Sequence, residues 1–129
     1  MTKCFDTLVA EAKTAVPAIS VREAHDLHSK GTAVFVDPRP TEAIASTTGL
    51  IPGAYNVGLD DLREGMLPPA LKDRTTPIVT ACQAGPMGAL AAHALQMRGF
   101  TDVRYLSGGT QEWREAGHPT EAEVTSPFG

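Results

Sequence analysis

Cys82 is placed to do nucleophilic chemistry. It follows the apolar run Ile78-Val-Thr-Ala81 and precedes a short loop, Gln83-Ala-Gly-Pro-Met87. That loop enters the Ala/Leu-rich stretch Gly88 to Leu95. A β-branched run after Pro77 predicts a buried strand, and the Ala/Leu stretch predicts a helix. The cysteine therefore sits where a strand's carboxyl end meets a helix amino terminus, the place where open α/β sheets bind ligands. Unpaired N–H groups and the helix dipole favour negative charge there. A cysteine so held is expected to have a lowered pKa and to carry the nucleophilic thiolate.

The other reactive types are weaker candidates. Asp37 and Arg39 end the apolar run Ala33-Val-Phe-Val36 and suit a charged pair that braces loops at the sheet edge. His25 and His28 have the i, i+3 spacing of helical metal ligands, but no second ligand pair accompanies them, and a solvated face is expected. No metal and no organic cofactor is expected. His93 and Trp113 read as packing residues, and His118 as part of a helix-ending turn. Arg74 and Arg104 are candidates for a cation reaching the Cys82 loop from outside, with solvated surface the expected outcome. Cys4 lies near the amino terminus and reads as a bystander.

Several elements must position Cys82. Phe5, Leu8, Val9, Ala12 and Val16 recur at helical spacing, which predicts an amphipathic helix packed on the domain or on a second subunit. Ser20 and Glu23 form a capping box for a helix over 21–29, ended by Gly31. Strands are expected at 33–36, 55–57 and 101–106, and helices at 41–47 and 111–116. Residues 60–71 carry mixed signals, divided by Pro68 and Pro69. Alternating strands and helices at this spacing predict an α/β fold with a mostly parallel sheet of about five strands and helices on both faces.

Bulk properties narrow the partners. A chain of 129 residues suits one domain. A net charge of −4 without a Lys/Arg cluster argues against nucleic acid. Two distant cysteines make no disulfide framework, no apolar run approaches the ~20 residues of a membrane span, and Asp6 and Glu11 interrupt any leader-like stretch. A cytoplasmic location without membrane association is the expectation.

Four blocks then resemble the rhodanese-like sulfurtransferases in their single-domain form. Val34-Phe-Val-Asp37-Pro-Arg39 is similar to the family's strand ending in Asp-x-Arg, and Gly49-Leu-Ile-Pro52-Gly53-Ala54 to its Gly-His-Ile-Pro-Gly-Ala turn. Cys82 to Gly88 falls where the family has its active-site loop. Gly99-Phe to Gly117-His-Pro119, with Ser107-Gly108-Gly109 and Trp113 between, resembles its closing strand and helix. The resemblance divides the chain into an amphipathic helical extension (1–16), a rhodanese-like domain (17–120) and a tail (121–129), with the first helix a candidate homodimer face. It implies a rhodanese-like fold and the movement of sulfane sulfur, from thiosulfate or a persulfide to cyanide or a thiol, through a cysteine persulfide. Cys82 would be the sulfur carrier. Backbone N–H groups among Gln83, Ala84, Gly85, Met87 and Gly88 would cradle the outer sulfur. Asp37 and Arg39 would support the site.

The departures sharpen the expectation. Active members often carry Arg or Lys in this loop, whereas Gln83 to Met87 has no cation, and Pro86 offers no N–H. The turn has Leu50 in place of histidine. Thiosulfate is therefore expected to be a poor donor, and a protein persulfide or another low-charge donor to fit better, with Met87 a soft apolar wall or a core plug. Phosphatases and arsenate reductases of this fold need arginine six positions after the cysteine, and here that position is Gly88. The competing reading is a catalytically weak docking or sulfur- and redox-sensing module, the last with Cys82 oxidised and captured by Cys4.

Overall fold

The computed structural model describes residues 4–124. Five strands form one sheet: β1 (Ala18–Ile19), β2 (Val34–Asp37), β3 (Tyr55–Asn56), β4 (Ile78–Thr80) and β5 (Val103–Leu106). Their order is β1-β5-β4-β2-β3 and all four pairings are parallel. The helices are α1 (Phe5–Ala15), α2 (Val21–Lys30), α3 (Thr41–Ser46), α4 (Leu59–Glu64), α5 (Pro86–Met97) and α6 (Gly109–Glu115). The ambiguous stretch after residue 60 resolves into α4 and a single 3-10 turn, Pro69–Leu71, which begins at the second proline because proline suits a first helical position.

Every side chain of β4 is buried, as a central parallel strand requires. Alternation along the strands assigns the two cores. Val36 and Ile78 meet Val9, Ala12, Leu62, Leu90 and Leu95 on the face covered by α1, α4 and α5. Phe35 and Val79 meet Val21, Ala24 and Trp113 on the face covered by α2 and α6. Helix α1 lies on α5 of its own chain, where the Gln96 side-chain amide donates to Ala15 O at 3.1 Å. Helix α2 starts as its capping pattern predicts, with Glu23 N–H donating to Ser20 Oγ at 3.2 Å, and Gly31 stops it at φ 65°. Glu121, assigned to the tail from sequence, exchanges both backbone hydrogen bonds with Leu50 at 2.8 Å. Residues 125–129 of that tail lie outside the described residues.

The register places the ends of β2, β4 and β5 side by side, with Val36 opposite Thr80 and Thr80 opposite Tyr105. From β2 the chain moves outward to β3, and from β4 it moves the other way to β5. The crevice between the carboxyl ends of β2 and β4 is thus the point where winding reverses, the usual ligand position in such sheets.

The histidines of α2 are not a solvated face. His28 Nε2 lies 2.7 Å from Pro52 O, and its ring meets the edges of Phe35 and Trp113. His25 stacks on His118 with ring centroids 3.8 Å apart. Trp113 is the anchor the sequence predicts, buried with its indole N–H donating to Pro119 O at 2.9 Å. Partial burial, with His25 and His28 alongside, holds His118 below the ordinary histidine value of 6.5. In an NMR titration of the ring protons, His118 is therefore expected to titrate below that value. The unfolded chain binds the proton first, so this contribution to stability is present above pH 6.5 and is lost as pH falls toward the folded-state pKa. A His118 midpoint above 6.5 would refute the expectation.

Candidate active site

Cys82 follows the central strand and is buried. Ala81 N–H donates to Val36 O at 2.9 Å, which carries the β4 pairing one residue past the strand and holds the cysteine at the β2–β4 crevice. The chain then reverses through Gln83 and Ala84, both exposed, into Gly85. Gly85 has φ 122°, a region closed to most L-residues, and a Cβ there would lie 2.6 Å from Ser107 O. This turn aims Gly85 N–H at Cys82 Sγ, 3.0 Å away. Pro86 takes the first position of α5, where a missing N–H removes no helical bond. Gly88 brings the helix close to the strand: a Cβ there would touch Cys82 N at 3.4 Å, and Thr80 Oγ1 donates to Gly88 O at 2.6 Å.

The start of α6 supports the loop from the β5 side. Thr110 N–H donates to Cys82 O at 2.7 Å and Gln111 N–H to Gln83 O at 3.1 Å. Gly109, at φ 66°, lies so near the loop that a Cβ would be 2.3 Å from Gln83 O. The Ser-Gly-Gly turn seen in the sequence is thus a contact surface for the Cys82 loop as well as a helix start.

Asp37 and Arg39 brace the β2 side. Both are buried, at 2 % and 4 % exposure, and Arg39 grips the Asp37 carboxylate through Nε at 3.0 Å and Nη2 at 2.7 Å. Arg39 also donates to Thr48 Oγ1 at 2.9 Å, Thr47 Oγ1 at 3.2 Å and Gly49 O at 3.3 Å. Asn56 Nδ2 closes the group on Asp37 O and Arg39 O. Burial pushes the Asp37 carboxyl up while its bonds to Arg39 pull it down. The bonds Arg39 makes run to the 47–49 turn, so the pair holds a wall of the site.

Two open recesses flank the loop. One, of about 550 Å³, is lined by Thr47, Thr48, Gln83, Gln111, Arg114 and Glu115. The other, of about 490 Å³, lies on the Met87 side and includes Pro38, Pro40, Leu59, Asp60 and Asp61. Met87 is therefore a recess wall and not a core plug. Neither cation candidate from the sequence serves the loop. Arg74 stacks over Phe100 and donates to Arg98 O, and Arg104 pairs with Asp102 at 3.2 Å. The cation that does line a flanking recess is Arg114, which sequence reasoning passed over. Its Nη1 donates to Thr47 O at 3.2 Å, and it makes no ion pair among the described residues.

Cys4 and Cys82 are both free. Cys4 is exposed ahead of α1, with Sγ 3.1 Å from Thr7 Oγ1, and that hydrogen bond holds its thiol below the ordinary range. No group of three or more His, Cys, Asp or Glu with metal-binding geometry occurs among the described residues. No helix among them is long and apolar enough to cross a membrane.

Comparison with known proteins accounts for this arrangement. The family model described as the rhodanese-like domain matches residues 20–116. Human thiosulfate:glutathione sulfurtransferase is 30% identical, the match covering 77% of this chain and 94% of that protein. The thiosulfate sulfurtransferase GlpE of Ectopseudomonas mendocina is 33% identical over 80% of this chain and 88% of its own. A solved structure from Rhodopseudomonas palustris, of unknown function and described as a possible tyrosine phosphatase, superposes with a TM-score of 0.82. It is 29% identical and covers 94% of this chain and 96% of that one. The family match spans β2, the cysteine loop and α6 together, so the chain belongs to the rhodanese-like domain family.

Proposed function

We propose that this protein is a sulfurtransferase that carries sulfane sulfur on Cys82. The observation that carries the reading is the Gly85 N–H aimed at Cys82 Sγ from the residue that caps α5, at the winding reversal of the sheet. Relatives of similar length named as sulfurtransferases support it.

In the loading step the Cys82 thiolate attacks the outer sulfur of a donor. With thiosulfate, the S–S bond of the donor breaks, its electron pair leaves with sulfite, and Cys82 keeps a persulfide anion. The amide N–H groups of Gln83, Ala84, Gly85, Met87 and Gly88 form the cradle for that outer sulfur, and the α5 dipole favours its charge. Pro86 lacks an N–H and shapes the loop without donating. Met87 gives the cradle a polarizable rim. In the unloading step a thiol or cyanide attacks the outer sulfur and Cys82 leaves as thiolate. A persulfide on a partner protein is the second donor class, suited to a loop without a cation.

Phosphate transfer fits poorly despite the Rhodopseudomonas palustris neighbour, because Gly88 stands where such enzymes need an arginine to grip the oxyanion. The test is incubation with thiosulfate and with a low-molecular-weight persulfide, followed by intact-mass measurement and cyanolysis. The expected result is a gain of one sulfur atom that cyanide removes. Absence of that gain with every donor would overturn the reading.

A further inference from the structure

The two recesses beside the loop differ in charge, and that difference selects a ligand. The Met87 side presents Asp60 and Asp61 and, among the described residues, no cation. The Gln83 side presents one cation and one anion, Arg114 and Glu115, with the amides of Gln83 and Gln111 and the hydroxyls of Thr47 and Thr48. Gln83, the chain neighbour of Cys82, lines this recess, and its carbonyl accepts from Gln111 N–H, so the recess borders the loop that holds the reactive sulfur.

Both charges have bonding capacity to spare. Arg114 uses Nη1 on Thr47 O and retains the donors of Nη2 and Nε. Glu115 accepts one bond at 3.2 Å, from Gln111 Nε2, which leaves most of its lone pairs open. An adjacent cation and anion at the rim of one recess match the carboxylate and ammonium of a free amino-acid group.

We infer that the Gln83-side recess is the acceptor site, and that it takes a thiol bearing a free amino-acid group, with its carboxylate on Arg114 and its ammonium on Glu115. The inference rests on Cys82 carrying sulfur. The thiolate of the bound acceptor attacks the outer sulfur of the Cys82 persulfide. A new S–S bond forms, the bond from the outer sulfur to Cys82 Sγ breaks, and the electron pair returns to Cys82 as thiolate. The acceptor leaves as its own persulfide, and no external oxidant or reductant is required.

Four small thiols separate the contributions: cysteine has both charged groups, 3-mercaptopropionate only the carboxylate, cysteamine only the ammonium, and 2-mercaptoethanol neither. On sulfur-loaded protein, Arg114→Gln is expected to raise the KM for cysteine relative to that for 2-mercaptoethanol about tenfold, the scale of a charge-assisted hydrogen bond. Arg114→Lys should recover part of the loss. Glu115→Gln should raise the KM for cysteine relative to 3-mercaptopropionate. KM ratios that stay constant across the four thiols in both variants would overturn the inference, since a purely structural role affects all acceptors alike. A binding arm does not depend on turnover. S-methylcysteine, which cannot accept sulfur, is expected to shift the amide resonances of Gln83, Gln111 and Arg114 in the wild type and to bind more weakly to Arg114→Gln. Binding that is absent or unchanged by the substitution refutes the acceptor site. Binding without any sulfur loading keeps the amino-acid site and refutes the sulfurtransferase reading.

Discussion

Cys82→Ser is expected to gain no sulfur from any donor and to lose turnover to background, while keeping its fold. A serine hydroxyl in the same place is not ionised near neutrality, and an O–S bond does not replace the S–S bond that a persulfide needs. The exchange is nearly isosteric, and Gly85 N–H, now 3.0 Å from Sγ, can donate to the hydroxyl instead. The site is buried, so exchanging a small apolar group for a polar one costs on the order of 1 kcal/mol, read as a modest fall in Tm by circular dichroism. The control is Cys4→Ser. Cys4 is the other of the chain's two cysteines, exposed, with a thiol held below the ordinary range by Thr7. It is therefore the thiol that would show adventitious modification. Sulfur gain that survives Cys82→Ser and disappears with Cys4→Ser would move the carrier to the residue ahead of α1 and remove the role assigned to the central loop.

The strand, loop and helix around Cys82 were legible because each is written in contiguous residues. Ile78-Val-Thr reads as a buried strand, Gly85 and Pro86 as a turn into a helix, and Gly88 to Leu95 as a helix with small residues on its close-packed side. The capping of α2 at Ser20 was legible for the same reason. What could not be read depends on residues far apart in the chain. Arg114 reaches Thr47, 67 positions away, and helical periodicity shows which face of α6 points outward but not which loop lies beyond it. The i, i+3 pair His25 and His28 looked solvated because nothing local announces that His118 and Trp113 fold back onto it. The Asp37–Arg39 pair was legible as a brace from its place at the carboxyl end of β2. Its partners, Thr47 to Gly49, were not, because a turn's approach to a guanidinium leaves no mark in composition. The search for a cation reaching the loop from outside shared this blind spot: the sequence offers Arg74 and Arg104, and α6 supplies Arg114 instead.

Arg39→Ala is expected to be the most destabilising single change in the site, at about 3–5 kcal/mol, the usual cost of leaving one member of a buried ion pair without its partner. Against a typical domain stability of roughly 5–15 kcal/mol, that unfolds a large share of the protein under mild denaturant. The loss has two parts. Asp37, at 2 % exposure, is left as an unpaired carboxylate, and Thr47, Thr48 and Gly49 lose the donors that hold their turn beside the Gln83-side recess. The parts separate by pH. Burial already pushes the Asp37 carboxyl up, and without the Arg39 guanidinium only the backbone N–H of residue 39 still opposes it, so Asp37 becomes protonated in the folded variant at higher pH than in the unfolded chain. A group whose folded-state pKa is raised contributes stability below its unfolded value, and that contribution is lost as pH rises through the folded value. The deficit of Arg39→Ala, followed by urea unfolding, should therefore shrink as pH is lowered toward 4 and grow toward neutrality. The double change Asp37→Asn with Arg39→Met removes both charges and should cost less than Arg39→Ala at pH 7, because only the anchors of the turn are then missing. A deficit independent of pH, or a double variant no more stable than the single one, would mean that the stability resides in the Arg39 bonds to the turn and not in the neutralisation of Asp37.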